Sequence, residues 1–323
     1  MSILVTGGTG YIGSHVVLAL HAANEKIVVL GNRAFPPQAK MPQDIPVVMG
    51  DVGDEALLDD ICKKHEVTDV IHLAASIVVP ESIADPLGYY LNNTSKTRNL
   101  LEACVRNGVK NFVFSSTAAV YGNPAENPVR EDSALAPVSP YGASKMMAER
   151  MLADTHAAHG LNYIALRYFN VAGADPEGRS GQVGDKSTHL IKVAVETALG
   201  KRAKMQVFGT DYPTPDGTCV RDFIHVSDLA DFHIAALAFL RAGGGSDTFN
   251  CGYGRGFSVK EVIKAVQKVS GVPFKAELQP RREGDPAEIV ADAGKIKKAL
   301  NVTLRFDSLG TIVAHALAWE KTL

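Results

Sequence analysis

Tyr141 and Lys145 are spaced to do proton chemistry. A separation of four on a helix sets the phenol and the ammonium side by side on one face. Tyrosine titrates near ~10 when unperturbed, and an adjacent cation favours its phenolate, so such a pair can take and return a proton. The preceding Pro137-Val138-Ser139-Pro140 suits a helix entrance and predicts a helix from Tyr141 to about His159. The same spacing also arises by chance on solvated helices. What separates the two readings is whether the rest of the chain builds a cleft over the pair.

The amino-terminal residues read as strand, glycine turn and helix: Ser2 to Val5, then Gly7-x-x-Gly10-x-x-Gly13, then Ser14 to about Ala22. Glycines at this spacing let backbone approach a pyrophosphate, and the helix N-terminus offers it free N–H groups. Gly7, Gly10, Tyr11, Ile12 and Gly13 are therefore candidate dinucleotide contacts, against the plainer reading of a structural turn. The second strand, Lys26 to Leu30, is followed by Gly31, Asn32 and Arg33, where an NAD domain usually carries an acid. Asn32 can hydrogen-bond an unmodified ribose and Arg33 can pair with a 2′-phosphate, so NAD and NADP both stay open.

Further strands are expected at Val47 to Gly50, Val70 to Leu73 and Asn111 to Phe114. Their carboxyl ends carry Asp51 and Val52, able to flank an adenine, then Leu73, Ala74 and Ala75, and then Ser115, Ser116 and Thr117. Asp51 is equally suited to cap a helix or form a turn. His72, inside an apolar strand, reads as a core histidine. A helix is expected from Tyr89 to about Asn107, with Asn92 near its start able to reach cofactor phosphates. Ser258 and Glu261 form a capping box, and Gly271 stops that helix.

The chain has 323 residues, 46% of them apolar, and a formal net charge of -2 without a basic block, which argues against nucleic acid as a partner. Cys62, Cys104, Cys219 and Cys251 lack metal-ligand spacing, so reduced buried thiols are expected and no metal is. No apolar run is long enough to span a bilayer, and Ile3-Leu4-Val5 reads as a strand and not a leader. The fold expected is α/β: a doubly wound parallel (Rossmann) sheet over residues 1–170 with a smaller α/β substrate-binding domain over 171–323. Of the latter, about 220–250 is expected to pack back on the first domain.

Three features fall in the order one fold needs: a glycine phosphate turn, strand-end hydroxyls and the Tyr141/Lys145 helix. With them stand Ser115-Ser116-Thr117-Ala118-Ala119-Val120-Tyr121-Gly122, Arg167-Tyr168-Phe169-Asn170, Phe208 to Thr218, Val220 to Val226 and Arg282-Glu283-Gly284-Asp285. On these residues the chain resembles the extended short-chain dehydrogenase/reductases, and among them the UDP-glucose (UDP-galactose) 4-epimerase family, nearly end to end.

That resemblance implies catalysis by Tyr141, Lys145 and Thr117, with a nicotinamide dinucleotide bound also by Ser115 and Phe169. It implies a UDP-sugar held by Asn170, His189, Leu190, Gln206, Phe208, Arg221, Arg282 and Asp285 together with Thr117 and Tyr141. In the implied mechanism Lys145 lowers the pKa of Tyr141. It further implies a cytoplasmic homodimer, joined through the helices starting near Tyr89 and Tyr141. His189 stands where many relatives carry asparagine. Ile289 occupies a position that governs room for a 2-acetamido group, which leaves UDP-GlcNAc, UDP-xylose and UDP-glucuronate as alternative substrates. A 4,6-dehydratase is disfavoured because Ala118 and Ala119, and not an acid pair, follow Thr117. A silent dinucleotide sensor on the same fold is disfavoured by the intact Tyr141/Lys145/Thr117 set.

Overall fold

The structure, a computed structural model, describes residues 2–184, 187–282 and 284–323. The first part of the chain alternates strand and helix: β1 (Ser2–Thr6), α1 (Tyr11–Ala22), β2 (Ile27–Gly31), β3 (Val47–Met49), α2 (Glu55–His65) and β4 (Val67–His72). It continues with α3 (Val79–Ala84), α4 (Pro86–Tyr90), a π turn (Leu91–Ser95), α5 (Lys96–Arg106), β5 (Asn111–Thr117), α6 (Pro140–His159) and β6 (Asn162–Tyr168). Then come β7 (Asn170–Ala172), α7 (Leu190–Ala198), β8 (Met205–Phe208), β9 (Val220–His225), α8 (Val226–Arg241) and β10 (Asp247–Cys251). The last elements are β11 (Gly256–Ser258), α9 (Val259–Ser270), β12 (Ala276–Gln279), β13 (Glu288–Ile289), α10 (Gly294–Leu300) and α11 (Leu309–Glu320).

Seven strands form one parallel sheet in the order β3-β2-β1-β4-β5-β6-β10, the doubly wound α/β arrangement expected. Every residue of β1, β2 and β5 is buried, as central strands covered by helices on both faces must be. Alternation along β1 splits the core between those faces. Ile3 and Val5 pack with Val17 of α1 and Phe232 of α8, while Leu4 packs with Leu58 of α2 and Leu101 of α5.

The chain leaves this sheet after Tyr168 and re-enters it through α8 and β10, whose Phe249 lies in register with Leu166. Residues 220–225 stay outside, as β9 at the centre of a small sheet. There β9 pairs with β7 and β13 in parallel and with β11 antiparallel. β8 and β12 form a separate parallel pair.

Local chemistry sets the ends of the helices that matter here. Ser139 caps α6 by accepting from the Gly142 N–H at 3.2 Å, Pro140 takes the first turn, and Gly160 closes it at φ 72°. The capping box at Ser258 and Glu261 and the Gly271 stop are present on α9. The helix expected from Tyr89 to Asn107 is α4 and α5 joined by the π turn. In that turn the Asn93 side chain accepts from the Ser76 N–H (2.8 Å) and donates to the Ser76 carbonyl (2.9 Å). That tether holds the loop after β4 against the helix, a common setting for π turns. Among the described residues no helix is long and apolar enough to cross a membrane, and no cluster of His, Cys, Asp and Glu is arranged to hold a metal.

Candidate active site

From β1 the chain builds outward through β2 and β3, then jumps back to β4 and builds the other way. A crevice opens over the carboxyl ends of the strands where the direction reverses. Here it is a cleft of about 730 Å³. On its floor Gly7 has φ +68°, and a Cβ there would lie 2.6 Å from the Ala74 nitrogen. A Cβ on Gly13 would lie 2.2 Å from the Gly7 carbonyl oxygen. Only glycine lets β1, α1 and the loop after β4 come this close. The result is bare backbone and the N-terminus of α1 facing the cleft, a cradle that fits a dinucleotide pyrophosphate.

Gly7, Gly10, Tyr11, Ile12 and Gly13 all line the cleft, as do Asn32, Asp51, Val52, Leu73, Ala74, Ala75 and Asn92. A Cβ on Gly31 would meet the Thr9 hydroxyl at 2.6 Å, so the site of the missing acid is sterically closed to a side chain unless Thr9 moves. Asp51 combines two roles: it accepts from the Gly53 N–H (2.7 Å) and pairs with Lys96 (2.5 Å) while edging the cleft. The helix cap that follows is Asp54. Asn92 donates to the Ser76 hydroxyl at 3.0 Å. His72 is a core histidine held between Thr6 (2.6 Å) and Thr97 (2.9 Å), and burial pushes its pKa down to about 3.

Tyr141, Lys145, Ser115 and Thr117 share one wall. Burial raises the Tyr141 pKa, and a hydrogen bond with the Thr117 hydroxyl pulls it part of the way back. Lys145 donates to the Ser115 carbonyl at 2.8 Å and sits over the Phe114 ring at 4.8 Å. Burial brings the Lys145 pKa down to about 7, against the carboxylate of Glu149, which raises it. The neighbouring Tyr89 adds to the rise of the Tyr141 pKa. The spacing of four therefore brings phenol and amine to the same wall, where each is held by its own partner on β5.

Phe169, Asn170, His189, Leu190, Arg221 and Asp285 line the facing wall. Arg221 donates to the Val220 carbonyl at 2.9 Å and lies 3.9 Å from Asp285. Three predicted residues stand outside the lining. Gln206 points to solvent because Met205 and Val207, on the other face of β8, are the buried ones. Phe208 and Arg282 are stacked on each other, the guanidinium 3.7 Å from the ring centre. They flank Gly284 and Asp285, which do line the cleft. Glu283 of the same motif lies outside the described residues.

Other wall residues escaped the sequence reading. Tyr168, in register with Thr117, hydrogen-bonds the Ser115 hydroxyl; its position inside the Arg167-Tyr168-Phe169-Asn170 motif was the available signal. Lys192 and Glu320 pair at 2.7 Å from elements 128 residues apart, and no local pattern announces that.

The sequence matches the family described as "NAD dependent epimerase/dehydratase family" over residues 3–252. It is 53% identical to the UDP-glucose 4-epimerase of Azospirillum brasilense, over 99% of this chain and 92% of that one. A crystal structure of UDP-glucose 4-epimerase superposes with a TM-score of 0.95 at 42% identity, covering 99% of this chain and 98% of the other. The UDP-glucose 4-epimerase from Brucella ovis in complex with NAD gives 0.92 at 40% identity, covering 98% and 97%. A match of this extent, over a cleft built as described, places the chain in the NAD dependent epimerase/dehydratase family.

Proposed function

We propose that the protein interconverts UDP-glucose and UDP-galactose through a 4-keto sugar, with NAD held in the cleft throughout. The observation that carries this is the meeting of Tyr141, Thr117 and Lys145 on one wall, next to a glycine cradle sized for a pyrophosphate. When bound, NAD supplies a reversible hydride acceptor. Tyr141 takes the proton from the sugar 4-hydroxyl and later returns it. Thr117 hydrogen-bonds the phenol and steadies the same sugar oxygen. Lys145, anchored on the Ser115 carbonyl, is the cation that orients the nicotinamide ribose. Arg221 serves the diphosphate as a charged fork, so that the sugar can present its second face while UDP stays in place.

A dehydratase would need an acid and a base beside Thr117, and Ala118 and Ala119 occupy that part of the cleft. Ile289, in register with Arg221 on β13 and packed with Phe169 and Ala118, is the residue that limits the 2-position of the sugar. The Phe208–Arg282 stack belongs to the uridyl end of the substrate. NAD is favoured because Asn32 suits an unmodified ribose. The protein acts as a homodimer: Ile83 and Leu87 are 64% and 77% exposed, and Leu91 and Met147 extend the same kind of surface near α4 and α6. Four free, buried thiols support a cytoplasmic setting.

The test is Tyr141→Phe. It should lose most conversion of UDP-galactose to UDP-glucose while retaining nucleotide. Normal turnover in that variant would overturn the role of Tyr141. Mass analysis of the nucleotide released on denaturation, beside a panel of UDP-sugars, decides NAD against NADP and fixes the sugar.

A further inference from the structure

On α6 a third polar side chain follows the reacting pair at the same spacing. Tyr141, Lys145 and Glu149 lie four residues apart, and all three are buried. The Glu149 carboxylate accepts from the Ser116 hydroxyl and is gripped by Arg167. The Arg167 Nε lies 3.0 and 3.1 Å from its two oxygens, and Nη2 lies 2.6 Å from Oε2. Arg167 sits in β6 in register with Ser116 of β5 on one side and Asn250 of β10 on the other. Its Nη1 donates to the Tyr121 hydroxyl (2.9 Å) and the Glu131 carbonyl (3.1 Å), and the Tyr121 hydroxyl donates to Asn250 Oδ1 (2.6 Å). A polar row thus crosses three strands, with every member satisfied.

The row meets α6 at the strand end that carries the chemistry. Three consecutive β5 residues face the helix: the Ser115 carbonyl accepts from Lys145, the Ser116 hydroxyl donates to Glu149, and Thr117 stands beside the Tyr141 phenol. A slide of α6 along β5 would break all three contacts together. A fully buried ion pair is seldom worth keeping for stability alone, since apolar side chains of the same size do as well. Among the described residues Glu149 is the carboxylate whose charge bears on the Lys145 amine, one helical turn away.

We propose that Glu149, locked by Arg167, is a positioning residue for the reaction: it fixes the register of α6 on β5 and supplies the negative charge that Lys145 faces. The proposal deepens the epimerase reading and rests on it for its kinetic part. Around the Lys145 amine stand Tyr141 and Glu149 from α6, and the Ser115 carbonyl and Phe114 ring from β5. His72 from β4 is neutral there, Tyr168 of β6 lies on the same cleft, and Arg167 lies beyond Glu149. Removing the carboxylate leaves Lys145 with no counter-charge, and its protonated form is lost at lower pH.

Glu149→Gln keeps the size and an acceptor for Ser116 while removing the charge. The double variant Glu149→Gln/Arg167→Met also removes the cation that the first leaves unpaired. Both are compared with the parent, as isolated with its nucleotide, for kcat and KM on UDP-galactose across pH 5 to 10, with melting temperature alongside. The second arm needs no turnover: carbamylation of Lys145 by cyanate, which attacks only the neutral amine, is followed against pH by peptide mass spectrometry. The expected result is a KM within about threefold and a kcat down about tenfold at alkaline pH. The alkaline limb and the labelling midpoint should both move down, by about one pH unit in Glu149→Gln, where the Arg167 cation is left uncompensated, and by less in the double variant. Superimposable limbs and labelling profiles, whatever the change in melting temperature, would overturn the proposal and leave Glu149 a packing residue. If the parent protein fails to epimerise, the epimerase reading falls, and the labelling arm still decides the relation between Glu149 and Lys145.

Discussion

Gly13→Ala tests the dinucleotide cradle at its tightest point. The added methyl would sit 2.2 Å from the Gly7 carbonyl oxygen and 2.7 Å from the Gly8 Cα, inside the 3.0 Å that Cβ atoms respect. Both obstacles are backbone, so no rotamer relieves them, and α1 must retreat from the turn. That turn is closed by the Gly10 N–H to the Gly7 carbonyl at 3.0 Å, and α1 begins with the Ser14 N–H to the Gly10 carbonyl at 2.9 Å. The retreat loosens the very N–H groups that face the pyrophosphate. Overpacking of this kind costs about 1–3 kcal/mol, and 2 kcal/mol expressed as affinity is roughly a thirtyfold loss. Gly8→Ala is the internal control: its methyl also crowds Val29 (2.8 Å) and Val17 (3.2 Å), which must shift, but its nearest neighbours are side chains and not the backbone of the turn. The assay is nucleotide content per chain after purification and dialysis, read by absorbance and mass, with melting temperature measured before and after adding NAD. Gly13→Ala should emerge largely empty and Gly8→Ala largely loaded. Full, dialysis-resistant occupancy in Gly13→Ala would refute the cradle.

Three further expectations follow from the same geometry. Arg221→Met should raise KM for UDP-galactose and the inhibition constant of UDP together by roughly thirtyfold, the worth of about 2 kcal/mol of charge-assisted hydrogen bonding, with kcat little changed; a fall in kcat alone would remove Arg221 from the diphosphate. Burial holds His72 and His225 down to about 3 and His15 and His233 down to about 4, against an ordinary 6.5. Each stays neutral in the fold while the unfolded chain takes a proton, so stability is whole above pH 6.5. It falls below that pH by about 1.4 kcal/mol per pH unit for each histidine, and a melting temperature flat between pH 7 and 5 would contradict this. Leu87→Glu, at a site 77% exposed in one chain, should yield monomer by light scattering where the parent gives the proposed dimer, and a parent that is already monomeric refutes the surface assignment.

The sheet and the cofactor side were legible because each depends on local, repeated patterns. Continuous apolar runs marked β1 and β2, each ending at glycine, and β5, ending at strand-end hydroxyls, while glycines at a spacing of three marked the turn. The facing wall was harder to read, because its members are set by long-range register. Arg221 was found through its motif, whereas Tyr168 entered only as a neighbour in a motif and Lys192–Glu320 not at all. Gln206, expected in the site, shares with Phe208 the face of β8 opposite the buried Met205 and Val207. The π turn was invisible for a related reason, since its cause is Asn93 reaching Ser76 from 17 residues away.

The two walls also differ in what they offer a ligand, and the proposed reaction needs that difference. The cofactor side is buried central strand and glycine backbone at contact distance, which cannot yield without breaking the sheet. Beside the phenol, the surface next to Thr117 is Ala118 and Ala119, whose side chains can make no hydrogen bond to a sugar. Charged anchors stand on the facing wall at Arg221 and Asp285, on and beside the small sheet, with Asn170 and His189 on that same wall. A nucleotide sugar held in this cleft is therefore gripped at its charged end and left nearly free at its ring. Strong hydrogen bonds to one epimer would lower its ground state and slow its conversion into the other. On this argument the alanines belong to catalysis through what they withhold: Ala119→Ser should slow turnover by binding one sugar face better than the other. An unchanged ratio of forward to reverse KM in that variant would mean the sugar does not turn against this surface.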